Sequence, residues 1–225
     1  GNELYIKDLS NPSNELKCLV DNFENDHSVV HSKGDLLYVS TNLNAPNKKV
    51  ITFKYNQPET EHWKDFIEET QYVLTISTGA GYFFAEYMID AISKVFQYSE
   101  KGKLIREVAL PGLGSSSGFS GKLKDKSLYF SFTNYTNPSS IYLYDPSNGS
   151  SKLFKKPEVG FDSNDYESKQ VFFKSKDGTK VPMIITYKKG TELDGNNPTI
   201  LFGYGGLNIS LTPSFSMVNA TWLEM

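Results

Sequence analysis

Three groups of residues carry types that could do covalent or electrostatic chemistry. The first is Gly114-Ser115-Ser116-Ser117-Gly118, which matches the G-x-S-x-G spacing of a nucleophile elbow. Such an elbow needs a buried strand before it and a helix after it, so that the serine is lifted into a strained turn. Here Leu110-Pro111-Gly112-Leu113 precedes and Phe119-Ser120-Gly121-Lys122 follows, with no helical periodicity. The expected reading is a Gly/Ser-rich connection leading into a strand, with Ser116 no nucleophile. The second group is the histidines, since a serine nucleophile needs an imidazole oriented by a carboxylate. His27, His31 and His62 are the full set, each near a strand end or polar turn, where a surface or turn histidine is expected. His27-x-x-x-His31 lies on an extended segment, so it lacks the helical pairing that binds a metal. The third group is Gly203-Tyr204-Gly205-Gly206, which follows the continuous apolar run Thr199-Ile200-Leu201-Phe202. A run without alternation reads as a strand buried on both faces, as in a parallel sheet. Glycines at its C-terminal end mark a sharp turn or close backbone approach, at the end of an open α/β sheet where ligands bind. By residue chemistry alone, Tyr204 is a buried tyrosine whose hydroxyl finds a local partner.

These residues must be held by elements, and the first 155 residues are rich in short β-like runs without long amphipathic helical patterns. The runs are Glu3–Leu9, Val29–His31, Leu36–Thr41, Lys49–Tyr55, Tyr72–Thr78, Tyr82–Ile89, Lys94–Tyr98 and Leu128–Thr133, with turns such as Lys33-Gly34-Asp35 and Ser147-Asn148-Gly149 between them. Leu36–Asn42, Tyr82–Tyr87 and Leu128–Asn134 resemble one another, each followed by a variable loop and a second aromatic strand. Their spacing of roughly 45 residues is the period of a four-stranded propeller blade. About three blades fit, fewer than the four to eight that close a typical propeller. A β-sandwich is the architectural alternative. Glu59, Glu61, Glu68 and Glu69 around Trp63–Ile67 read as a solvated face. After residue 155 the character changes. Gln170–Ser175, a turn at Lys176-Asp177-Gly178-Thr179, and Val181–Tyr187 predict a β-hairpin.

Bulk properties narrow the function classes. The chain has 225 residues, 14% aromatic and 22% charged, with a net charge of −3. That balance fits a globular β-rich protein and offers no basic surface for nucleic acid. No apolar run approaches membrane-spanning length. Gly1-Asn2-Glu3-Leu4 carries no basic-then-apolar signal pattern, which leaves cytoplasm and periplasm both open. Cys18 is the lone cysteine, so no internal disulfide or cysteine metal cluster forms, and a buried structural thiol is expected. No cofactor or metal is called for. Asn134, Asn148, Asn208 and Asn219 each open a glycosylation sequon, a weak pattern without a known compartment.

Ser175–Met183, followed by Phe202-Gly203-Tyr204-Gly205-Gly206-Leu207-Asn208-Ile209-Ser210 and Thr212-Pro213-Ser214-Phe215-Ser216, resembles the entry into the hydrolase domain of the prolyl oligopeptidase family. Asn42–Pro46, Trp63–Glu69, Leu110–Gly121 and Phe132–Pro138 resemble that family's propeller, so the likeness covers nearly the whole chain. It implies a mainly β chain: C-terminal propeller blades over 1–156, then the opening of an α/β-hydrolase domain over 157–225, truncated before the nucleophile. It implies a serine peptidase that cleaves short peptides after proline through an acyl-enzyme, with the propeller restricting access. Tyr204 matches the family's oxyanion-hole hydroxyl. Leu207 stands where similar proteins carry a phenylalanine that lines the proline pocket, and Leu offers apolar contact without an aromatic face. The catalytic Ser, Asp and His are expected beyond residue 225, so the 225 residues are expected to be inactive alone and prone to self-association through exposed sheet edges. Two alternatives remain at this stage: a non-catalytic propeller or sandwich binding module, and an acylaminoacyl- or dipeptidyl-peptidase-like relative.

Overall fold

A computed structural model describes residues 1–207 and 209–225. The chain opens with β1 (Leu4–Ile6) paired to β2 (Lys17–Val20). Three four-stranded antiparallel sheets follow in chain order. The first contains β3 (His27–Lys33), β4 (Leu36–Thr41), β5 (Lys49–Lys54) and β6 (Lys64–Ile67). The second contains β7 (Leu74–Gly79), β8 (Tyr82–Ile89), β9 (Ile92–Ser99) and β10 (Leu104–Glu107). The third contains β11 (Ser115–Ser120), β12 (Leu128–Thr133), β13 (Ser140–Asp145) and β14 (Ser150–Lys155). In each, sequence neighbours are sheet neighbours, which is a meander. A hairpin of β15 (Tyr166–Lys174) and β16 (Lys180–Lys188), then the helix α1 (Met217–Glu224), complete the elements.

The repeat read from the sequence is therefore the sheet: the first strands start at residues 27, 74 and 115. β6 was the least legible strand. Its Lys64-Asp65-Phe66-Ile67 lies among the glutamates expected to form a solvated face, yet Ile67 is buried and Phe66 packs on Tyr38 and Phe83. Its polar residues are the first two, Lys64 and Asp65, and its last two turn to opposite faces of the sheet.

Packing divides the chain into two units. One comprises Gly1–Tyr87, Val95–Arg106 and Gly121–Lys124, and its chemistry follows from strict alternation along β4. Leu37 and Val39 point to one face, opposite Phe53 and Ile51 of β5, and there meet Leu19, Leu4, Ile6 and Trp63. Tyr38 points to the other face and meets Phe66 and Phe83 at ring separations of 4.9 and 5.0 Å. A sheet buried on both faces has neighbours on both faces, as blade packing requires. Trp63 stacks on Phe53 at 5.3 Å and donates its indole N–H to the Pro58 carbonyl at 2.8 Å.

The other unit comprises Met88–Lys94, Glu107–Ser120 and Asp125–Met225. Leu128, Phe130 and Phe132 alternate inward along β12. Phe130 stacks on Phe119 at 4.6 Å and on Tyr142 at 5.2 Å. Phe119 reaches this core through a register shift after Gly118, with Phe119 itself in the left-handed region at φ 58°. In the hairpin, Tyr166 pairs with Lys188 and Lys174 with Lys180 without a break. Its tight end is held by the Thr179 N–H donating to Asp177 at 3.0 Å and by Gly178 at φ 86°. Phe161, Tyr166 and Ala220 form a small core with Val159, Phe215 and Leu223, which docks α1 beside the hairpin.

Candidate functional site

The glycine-rich loop sits on a stretch that forms no strand. After β16 the chain turns through Gly190 and Gly195, both at positive φ, and Asp194 accepts the Asn196 N–H at 2.9 Å. Thr199–Phe202 is expected as a strand buried on both faces; in the structure it forms no strand. Ile200, Leu201 and Phe202 are 61%, 82% and 78% exposed. The physical reason is pairing. Such a strand needs ladder partners on both edges, whereas β15 and β16 pair only with each other and no third strand joins them among the described residues.

Tyr204 is 53% exposed, so it is not the buried tyrosine that its residue type suggests. Its phenol folds back over Gly206: a Cβ at that glycine would stand 2.8 Å from the Tyr204 hydroxyl. Gly203 and Gly205 face open space. Leu207 is 87% exposed in the left-handed region at φ 53°, so it packs in no core. The Ile209 N–H donates to the Gly206 carbonyl at 3.1 Å and closes the turn. The sequon at Asn208 lies outside the described residues. Chemically, the loop presents one phenolic donor on a glycine-rich backbone, able to aim an O–H at an anionic oxygen.

Beyond the turn the chain is fixed to the third sheet. Ser115 of β11 donates its hydroxyl to the Pro213 carbonyl at 2.7 Å. Thr133 of β12 accepts the Phe215 N–H at 3.2 Å and donates its own proton to the Asn137 carbonyl at 3.0 Å. Ser115 and Thr133 sit directly opposite each other in the β11–β12 ladder. Phe215 also meets the Phe161 ring at 5.9 Å. In the sequence Ser115 stands out only as part of the elbow-like motif, and nothing marks Thr133 as a contact residue. The signal available in the sequence is the Thr212–Ser216 segment, whose likeness to the family's hydrolase entry does not name its contacts.

The elbow-like motif has a structural explanation. The expected Gly/Ser connection is itself β11, the first strand of its sheet, and Ser116 pairs with Phe132. Strand, not helix, follows Ser116, so the strained turn of an elbow is absent at that serine. A Cβ at Gly114 would come within 2.4 Å of the Phe132 ring and the Thr133 carbonyl, and one at Gly118 within 2.7 Å of the Tyr129 carbonyl. Close approach of β11 to β12 accounts for both glycines.

The histidines divide. His27 is buried, against the expectation of a surface residue. Its Nδ1 lies 3.0 Å from the Thr41 hydroxyl, its ring packs edge-to-face with Trp63 at 5.8 Å, and its backbone N–H donates to Asn2 Oδ1 at 2.8 Å. Burial pushes its pKa below the usual imidazole value, against a smaller upward pull from Asp26. His31 is half-buried, 5.3 Å from Tyr38 and 5.5 Å from Phe83. His62 is exposed on a short 3-10 turn, Thr60–His62. Cys18 is half-buried in β2, short of the full burial expected. Among the described residues no helix is long and apolar enough to cross a membrane.

Comparison with known proteins agrees with this architecture. The sequence profile described as "Prolyl oligopeptidase, N-terminal beta-propeller domain" matches residues 1–157. The chain is 51% identical over its full length to a prolyl endopeptidase of Elizabethkingia meningoseptica and 48% identical to one of Elizabethkingia miricola. It spans 32% of the length of each, about a third of the curated relatives it matches. Prolyl oligopeptidase B from Galerina marginata superposes with a TM-score of 0.87 at 29% identity, covering 99% of this chain and 33% of that one. The profile match over more than half of the chain, on a succession of four-stranded meanders, shows that the chain belongs to the prolyl oligopeptidase family.

Proposed function

We propose that these residues act within a longer serine peptidase that cleaves short proline-containing peptides on the carboxyl side of proline, through an acyl-enzyme. Residues 1–156 supply propeller blades and residues 157–225 the opening of an α/β-hydrolase domain. The profile limit at residue 157 and the change from meander sheets to a hairpin support that boundary. The nucleophile, its aspartate and its histidine lie outside these 225 residues, which are inactive alone. The observation that carries the reading is the full-length identity of 51% to a prolyl endopeptidase.

Within that enzyme Tyr204 donates its hydroxyl to the developing oxyanion. A fixed donor matched to the transition-state charge stabilises it more than it stabilises the ground-state carbonyl. The exposed phenol and open backbone at Gly203 and Gly205 support this role, because an approaching carbonyl meets no side chain there. Leu207 contributes an apolar wall to the proline pocket and, lacking a ring face, discriminates less sharply for proline than an aromatic residue would. Thr199–Phe202 becomes a sheet strand when its neighbours are supplied. Until then its apolar side chains favour self-association. Nucleic acid and membrane play no part in this reading. Turnover of a peptide with proline before the scissile bond by the longer gene product, lost on Tyr204→Phe, tests it. Equal turnover by both proteins would remove Tyr204 from the mechanism.

A further inference from the structure

Ser115 and Thr133 occupy opposed positions on adjacent strands, and both bond to the same three-residue segment. We infer that this pair is a positioning clamp for the tyrosine loop; the inference rests on the proposed role of Tyr204. Between the end of β16 at Lys188 and the start of α1 at Met217 the described residues form no regular element. A loop this long has a broad range of end positions unless it is tied part-way. Pro213–Phe215 is that tie. Its carbonyl receives the Ser115 hydroxyl, its amide reaches the Thr133 hydroxyl, and its Phe215 ring rests on Phe161. Thr133 is itself oriented, because its proton is committed to the Asn137 carbonyl and its lone pair is left for Phe215. Ser115 is held in register by its ladder pairing with Thr133. The third sheet thereby fixes where the C-terminal arm of the tyrosine loop leaves it, and so narrows the positions open to Tyr204.

Two measurements test this. In the 225-residue chain, Ser115→Ala combined with Thr133→Val should speed amide exchange across Leu211–Phe215 by about tenfold, the scale of one ordinary hydrogen bond. Exchange in β13 should stay unchanged, and Thr133→Ser, which keeps the hydroxyl, should restore protection at Phe215. Unchanged exchange at 211–215, or equal acceleration in β13, would overturn the clamp. In the longer gene product, Tyr204→Phe should cost about 10²–10³ in kcat on the native background. On the double-variant background it should cost less than about tenfold, because a donor out of position contributes little. Simple multiplication of the two losses would overturn the clamp while leaving Tyr204 its role. No loss from Tyr204→Phe on the native background would overturn the Tyr204 reading, and the exchange result alone would then decide the clamp.

Discussion

Leu128–Thr133 and Thr199–Phe202 are both short apolar runs, and their fates are opposite. The first alternates, pairs with β11 and β13, and buries Leu128, Phe130 and Phe132. The second is continuous, pairs with nothing among the described residues and leaves Leu201 and Phe202 bare. A meander strand finds its partners a few residues away in the chain. A strand of parallel type depends on partners brought by long crossovers. Local sequence therefore specifies the first completely, and the second only in potential.

The largest effect that sharpens this contrast is in the cores. Phe130→Ala empties a site stacked between Phe119 and Tyr142 and should cost about 3–5 kcal/mol in the 225-residue chain. Phe202→Ala, at a side chain 78% exposed, should change stability by less than about 0.5 kcal/mol. Urea unfolding of both variants checks the pair, and an equal loss would mean that the Thr199–Phe202 run is packed in solution. Next come the glycines. Gly118→Ala puts a Cβ against the Tyr129 carbonyl at a φ of 129° and should cost more than about 1 kcal/mol, whereas Gly203→Ala meets open space and should be near neutral. Thermal melts of the two proteins separate these outcomes.

The smallest effect is a pH dependence confined to the first unit. His27 has a folded pKa below its unfolded value of about 6.5 because burial disfavours the imidazolium. On acidification through that value the unfolded chain takes up a proton that the folded chain refuses, so stability falls as pH drops. Between pH 7.5 and 5.5, above the carboxylate range, denaturation midpoints should decline for the native chain and flatten for His27→Gln. A decline of the same slope in both would assign the dependence elsewhere.

Much of this fold was legible because blade strands are local. The aromatic repeat through Leu36, Tyr82 and Leu128 located the central strands of all three sheets, and Asp177-Gly178 located the hairpin turn. β6 was missed because only two of its four residues are apolar, with no alternation to read, and glutamates flank it. β11 was missed because Ser-Ser-Ser-Gly carries no apolar alternation; its burial comes from a register shift that brings in Phe119. His27 looked like a turn residue because its partners Thr41, Trp63 and Asn2 are distant in sequence. Of the candidate site, the Tyr204–Leu207 loop was visible as a glycine cluster. The Ser115–Thr133 clamp was not, since its hydrogen bonds join residues 98 and 82 positions apart.

An active-site serine probe such as a fluorophosphonate, applied to the 225-residue chain and to the longer gene product, tests the central claim most directly. Labelling confined to the longer product, together with cleavage after proline, is the predicted result. Labelling of the 225-residue chain would make Ser116 or another of its serines a nucleophile and would contradict the account.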